Sequence, residues 1–158
     1  MTIKIILGLI IVLLFSFLGN QYALKYKRKR NFFIELENFI IYLKREISFS
    51  GTTLGNIVKK YKTENTDLLD MLNTIFCECR EDNIYYPKYL DVDEKQLIQM
   101  FFDKLGKSDK KNEIELLDNI ILEIRSMKEK EIMKSSKITG ITTKLGFLVG
   151  AIVFVMLL

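Results

Sequence analysis

The chain has 158 residues, 49% of them hydrophobic, and carries no His. Without imidazole there is no HExxH zinc site and no Ser/His or Cys/His nucleophile pair, and the glycines at 8, 19, 51, 55, 106, 140, 146 and 150 fit neither GxGxxG nor GxxxxGK[ST]. With one Pro, Pro87, and abundant Leu, Ile, Lys and Glu, the chain reads as helical almost throughout, and its net charge of +4 points to a membrane or to nucleic acid according to where the cations sit.

Residues 5 to 18 (IILGLIIVLLFSFL) carry no charge. The Leu, Ile, Val and Phe among them sum to roughly −4 to −7 kcal/mol of insertion free energy. Extended through Tyr22 and Leu24, the stretch reaches the length of about 20 residues that crosses a hydrocarbon layer, which predicts a transmembrane helix over 1–24. The rival reading is a cleaved signal peptide, but such peptides carry positive charge ahead of the apolar core and a small-x-small site behind it. Here the basic run KYKRKR follows the core, at 25–30.

Those cations, Lys25, Lys27, Arg28, Lys29 and Arg30, read as a topology signal, a contact for anionic lipid headgroups or a nucleic-acid patch. Their place directly after an apolar span favours the first two. From 31 to 137 there are 17 Lys or Arg against all 20 acids, so the middle is slightly acidic and no nucleic-acid partner is expected there.

Phe32, Leu36, Phe39, Leu43 and Ile47 recur at steps of three and four, one face of a helix. No Gly or Pro occurs from 20 to 50, which allows one helix to leave the bilayer and run about 30 residues, some 45 Å, into the cytoplasm. Ser50-Gly51 should end it. Thr52 or Thr53 can cap a short helix with Leu54, Ile57, Val58 and Tyr61 on one face. A third stripe, Leu68, Leu69, Leu72, Ile75, Phe76 and Cys79, starts near Asn65 or Thr66. IYYPKYL reads as a loop with aromatic anchors. Asp91 and Glu94 have capping-box spacing and open a helix with Leu97, Ile98, Phe101, Phe102 and Leu105, which Gly106 should close. A last helix starts near Ser108 or Asp109, carries Ile114, Leu117, Ile121, Ile124 and Met127, and can run unbroken to Gly140.

The uncharged stretch 145 to 158 (LGFLVGAIVFVMLL) gives a second span over 138–158 if Lys144 snorkels to the headgroups; the alternative is a hairpin partner dipping into one leaflet. Within it, Gly146 and Gly150 have the spacing of a transmembrane contact motif, a pattern common in membrane helices. Lys128, Lys130, Lys134, Lys137 and Lys144 flank this end as 25–30 flanks the other. Both basic flanks therefore place the segment between them in the cytoplasm and both termini outside. The expected organisation is all-α: transmembrane helices at 1–24 and 138–158 framing a cytoplasmic helical bundle at 25–137.

Little in this pattern could do chemistry. Cys77 and Cys79 lie about 200° apart in helical projection and cannot share a metal without unwinding. Around Asp91, Asp93 and Glu94, Lys95 and Gln96 stand where an EF-hand loop needs an oxygen ligand and Gly. Glu113 with Glu115, and the alternating charges from Lys128 to Glu131, read as solvated helix faces with i, i+4 pairs. No catalytic, cofactor or metal residues are expected, and the residues alone describe a membrane-tied interaction protein rather than an enzyme.

The whole pattern resembles the stage III sporulation protein AB family of endospore-forming bacteria. The likeness rests on a first span ending in Gly19-Asn20-Gln21-Tyr22-Ala23 before the basic run, a helix with Leu36, Leu43, Glu46 and Ile47, the Thr53-Leu54 step, FFDKLGKSD at 101–109, and a long charged helix leading to a C-terminal span. Its most specific local piece is Leu105-Gly106-x-Ser108-Asp109. The chain departs from the family where Thr53 stands for an expected Pro and Glu113 for an expected Gln.

The resemblance implies a bundle similar to the cytoplasmic domain of type II secretion F platform proteins. It further implies a place in the multiprotein channel that links mother cell and forespore after engulfment and is needed for late forespore-specific transcription. Its partners would be membrane proteins of that complex and a secretion-type motor ATPase, docked by exposed residues near Asp109 and along 110–131. The competing expectation is a lipid-binding membrane anchor or regulator of a signalling protein, unrelated to secretion.

Overall fold

A computed structural model describes residues 2–49, 53–76 and 84–157. Five helices follow in order: α1 (Thr2–Phe49), α2 (Leu54–Lys60), α3 (Thr66–Phe76), α4 (Val92–Lys104) and α5 (Lys110–Leu157), with no strand among the described residues. The all-helical expectation holds, and every helix inferred from the sequence is present. The expected stop at Ser50-Gly51 and both cysteines, Cys77 and Cys79, lie outside the described residues.

The chain divides into two compact units. One is Asn31–Glu129; the other combines Met1–Arg30 with Lys130–Leu158. The long helices α1 and α5 each contribute to both.

In Asn31–Glu129 the stripes read from sequence meet in one core, with Phe32, Leu36, Phe39 and Leu43 of α1 fully buried beside Ile57, Leu72, Ile98, Leu117 and Ile124. Aromatic rings tie the short helices to α1 and to one another: Phe39 meets Tyr61 edge-on with centroids 5.1 Å apart, and Phe102 of α4 lies 5.7 Å from Phe76 of α3. Each helix start has a local cause. Thr53 begins α2 through its carbonyl, which accepts the N–H of Asn56 and Ile57, and its side chain makes no cap bond. Its φ of −64° is one a proline would adopt, so the backbone here is compatible with the Pro expected from the family. Asn65 caps α3, its Oδ1 accepting the Leu68 N–H at 3.1 Å. At α4 the Glu94 carboxylate reaches back to accept the Asp91 N–H at 2.8 Å, the reciprocal bond of a capping box.

The aromatic loop is anchored as expected. Tyr89 packs edge-on against Phe32, and its hydroxyl donates to Asp67 Oδ2 at 2.7 Å. Tyr61 donates toward Glu35 at 3.5 Å, while Thr63 donates to the same carboxylate at 3.1 Å and accepts the Asn65 N–H, linking α1 to the cap of α3. Burial, the Glu35 charge and that hydrogen bond push the Tyr61 hydroxyl up to about 12.

In the other unit Ala23 and Ser135 are fully buried, small residues that suit close helix packing. Beyond them apolar side chains stand exposed, among them Leu13 (61%), Leu18 (61%), Leu148 (55%) and Ile152 (54%). Among the described residues no helix is long and apolar enough to cross a membrane. The side chains of 1–9, 11, 15, 16, 143, 146, 147, 150, 154 and 156–158 lie outside that description, so the spans expected at 1–24 and 138–158 rest on sequence composition alone.

Candidate functional site

The turn between α4 and α5 explains most of the Leu105-Gly106-x-Ser108-Asp109 step. Leu105 is buried and closes α4, its N–H donating to the Phe101 carbonyl. Gly106 takes φ +78°, and a Cβ there would stand 2.6 Å from Leu54 Cδ1. Any other residue would meet backbone strain and would require the Leu54 side chain to shift. Asp109 starts α5: its carbonyl accepts the Glu113 N–H at 2.9 Å, and its Oδ1 accepts from the Asn112 side-chain amide at 2.5 Å. Three of the four named residues therefore build the turn. Ser108 is exposed.

Glu113 corrects a sequence expectation. It is not on a solvated face with Glu115 but only 4% exposed, and its Oε1 accepts the Gly106 N–H at 2.7 Å. Its other oxygen, buried, has no hydrogen-bond partner among the described residues. The register explains the burial: Glu113 lies four residues before Leu117, on the stripe that Ile121 and Ile124 continue into the core. The Gln expected here from the family would keep the same acceptor.

Beside this turn lies an open groove of 380 Å³, lined by Lys104, Lys107, Ser108, Asn112, Glu115, Leu116 and Asn119. It is the surface at which the family-like step meets solvent. A second hollow, 300 Å³, lies between α2 and α3 and is lined by Val58, Tyr61, Leu69, Leu72 and Phe76 with Gly55, Lys59 and Asn73. Neither collects a set of acids, bases or nucleophiles, and among the described residues no group of three His, Cys, Asp or Glu could hold a metal ion.

The charges between Lys128 and Glu131 also differ from expectation. Lys128 does not pair along its own helix but bonds Glu37 of α1, which also accepts from Arg125 Nε at 2.9 Å. Burial disfavours the Glu37 carboxylate, but the two cations together outweigh it and hold its pKa below the usual carboxylate range. On the open side of the same helices Lys44 bonds Asp118 at 2.5 Å, and Lys110 donates to the Ser48 carbonyl at 2.7 Å. Glu131 is 3% exposed and lies 3.6 Å from Lys29 and 3.1 Å from Lys134.

Lys29 is consequently 7% exposed and paired within the protein, so it is not available as an interface cation. Lys25 and Arg28 are exposed, and Lys27 and Arg30 are half-buried. Of the residues near Asp109 and along 110–131 expected to dock a partner, Glu113 and Glu131 are thus internal, while Asp109, Glu115 and Asn119 remain on the surface. Gly146 and Gly150 lie in α5, and their surroundings fall outside the described residues.

Among the described residues the fold is all-helical, and Glu113, Glu37 and Glu131 each join one segment to another. The chain belongs to the stage III sporulation protein AB family: the family model matches residues 4–85, more than half of its length. The match takes in α1, α2 and α3 and ends before the turn at 105–109, so the likeness there rests on the residues themselves. No curated protein and no solved structure matches the chain.

Proposed function

We propose that the chain is a non-catalytic platform subunit of the channel complex between mother cell and forespore, held in the membrane at both ends and docking the secretion-type motor ATPase through its helical domain. Family membership supports the setting. The observation that carries the membrane-held reading is the division of charge and apolar surface. Met1–Arg30 with Lys130–Leu158 holds ten of the 24 Lys and Arg but one of the 20 acids, and it exposes a long series of apolar side chains. Such a surface calls for a lipid surrounding, and the cations at its inner edge favour the cytoplasm for Asn31–Glu129.

Docking by the groove beside the 105–109 turn is supported by its exposed polar rim around Leu116. A partner surface of this kind gains from a few buried contacts rather than from total area. The test is co-purification of tagged full-length protein with the ATPase from detergent, in both nucleotide states. Lys107→Glu with Glu115→Lys, both exposed groove residues, should weaken retention, and Glu64→Lys, exposed in another part of the chain, should not. Absence of retention under every nucleotide condition would remove the ATPase from the account and leave a membrane scaffold.

A further inference from the structure

The basic residues near the apolar ends do not act alike. Lys29 and Glu131 form a buried contact between α1 and α5, and Lys134 shares the same carboxylate. The only acid of Met1–Arg30 with Lys130–Leu158 is therefore engaged internally. Counted from that contact at about 1.5 Å per residue, Arg28 and Lys25 lie about 1.5 and 6 Å toward the apolar end of α1, and Lys137 about 9 Å toward that of α5. Lys25, Arg28 and Lys137 are exposed, and Lys27 is half-buried.

At the same level Tyr22 and Tyr26 stack edge-on with centroids 5.5 Å apart and hydroxyls 3.2 Å apart. Amphipathic rings at such a position match the headgroup level of a bilayer, with an apolar body and a polar tip. Exposed apolar side chains follow on both helices, Leu18 and Phe17 on one and Ile141 and Leu145 on the other.

We propose that Lys25, Lys27, Arg28 and Lys137 form a cationic collar that binds the headgroups of anionic phospholipids, with Lys29 serving instead as an internal tie between the helices. Charge complementarity selects the ligand: a phosphodiester without a compensating ammonium attracts these cations, and a zwitterionic headgroup does so far less. The neighbouring apolar side chains favour a bilayer over nucleic acid, which would leave them in water. The collar rests on the membrane-held reading for the position of the bilayer.

The test reconstitutes full-length protein in bilayer discs of phosphatidylglycerol and phosphatidylcholine. The protein is then extracted in mild detergent, and the ratio of the two lipids it retains is measured by mass spectrometry. A cation near an anionic surface is worth up to about fivefold in preference, so the wild type should retain phosphatidylglycerol several-fold above input, less at high salt. The preference should fall to the input ratio in K25Q/K27Q/R28Q/K137Q and by part in K25Q/K137Q and K27Q/R28Q. It should persist in the control K59Q/K60Q, two exposed cations of α2.

A wild type without preference, or an equal preference in the fourfold variant of unchanged helicity, overturns the collar. So does displacement of the lipid by a single-stranded oligonucleotide acting on the same cations. Alkaline extraction of the protein from vesicles reads the spans separately: release with the lipid preference intact sinks the spans and leaves the collar, and retention without preference does the reverse.

Discussion

Asn31–Glu129 and its companion of chain ends use the same residue types in opposite ways. The middle carries 14 Lys or Arg against 19 acids and closes most of its aromatic and aliphatic side chains into one core; the ends carry ten against one and, among the described residues, expose many such side chains. Burial against the protein itself is the dominant stabilising term in the first. In the second, on the membrane-held reading proposed above, that term would come from lipid. The ion pairs share one form across the two: Glu37 answers Arg125 and Lys128 in the acidic unit, as Glu131 answers Lys29 and Lys134 in the basic one.

The largest test of this contrast compares two phenylalanines. Phe39→Ala empties a fully buried site and should cost about 3–5 kcal/mol in chemical denaturation of the helical domain. Phe17→Ala, at a side chain 59% exposed, should change that transition by less than about 0.5 kcal/mol. Equal effects would mean that the ends share the core's stability.

Gly106→Ala comes next. Its φ of +78° and the approach of Leu54 predict a loss of about 2 kcal/mol, read by thermal melting. Breaking a turn between helices should loosen the groove with it, so a variant of full stability would show that the turn relaxes without cost.

Glu37→Gln should cost about 1–2 kcal/mol, less than a fully enclosed pair, because Arg125 and Lys128 retain access to water. The sign in pH follows from the lowered pKa: the unfolded carboxyl protonates first, so this stability is present above the ordinary carboxylate value and lost as pH falls through the folded one. The variant should flatten the acid limb of the stability profile below about pH 4.3.

Glu113→Gln should be neutral or stabilising by up to about 1 kcal/mol, since it keeps the acceptor for Gly106 and replaces a carboxylate oxygen without a hydrogen-bond partner among the described residues by an uncharged amide. Tyr61→Phe is the smallest change near neutral pH. With its hydroxyl raised to about 12, Tyr61 stabilises the fold fully below the ordinary tyrosine value near pH 10 and loses that stability as pH rises through the folded one. The Phe variant should remove this alkaline decline between about pH 10 and 12 in a denaturation series.

Much of the fold was legible because apolar periodicity and caps are local signals. The α1 stripe from Phe32 to Leu43, the Asp91 and Glu94 spacing and the stop at Gly106 each need only neighbours within a turn or two. The pairing of charges was not legible, because helical spacing alone cannot say whether a polar residue faces water or another helix. One cue was present. Glu113 and Glu131 fall on the continuation of the buried α5 stripe through Leu117 and Ile124, and Lys29 lies three and four residues before Phe32 and Phe33. A charge in register with a core stripe calls for a partner across the interface, as Glu131 and Lys29 supply for each other.

The most direct measurement is topology by thiol labelling in intact cells. In a chain with Cys77→Ser and Cys79→Ser, a single cysteine is introduced at Thr2 or at exposed Lys62 and exposed to a membrane-impermeant maleimide. The account predicts that Thr2→Cys is labelled in intact cells and Lys62→Cys only after the membrane is opened. Labelling of Lys62→Cys in intact cells, or equal protection of both positions, would contradict a cytoplasmic helical domain held between two membrane-crossing ends.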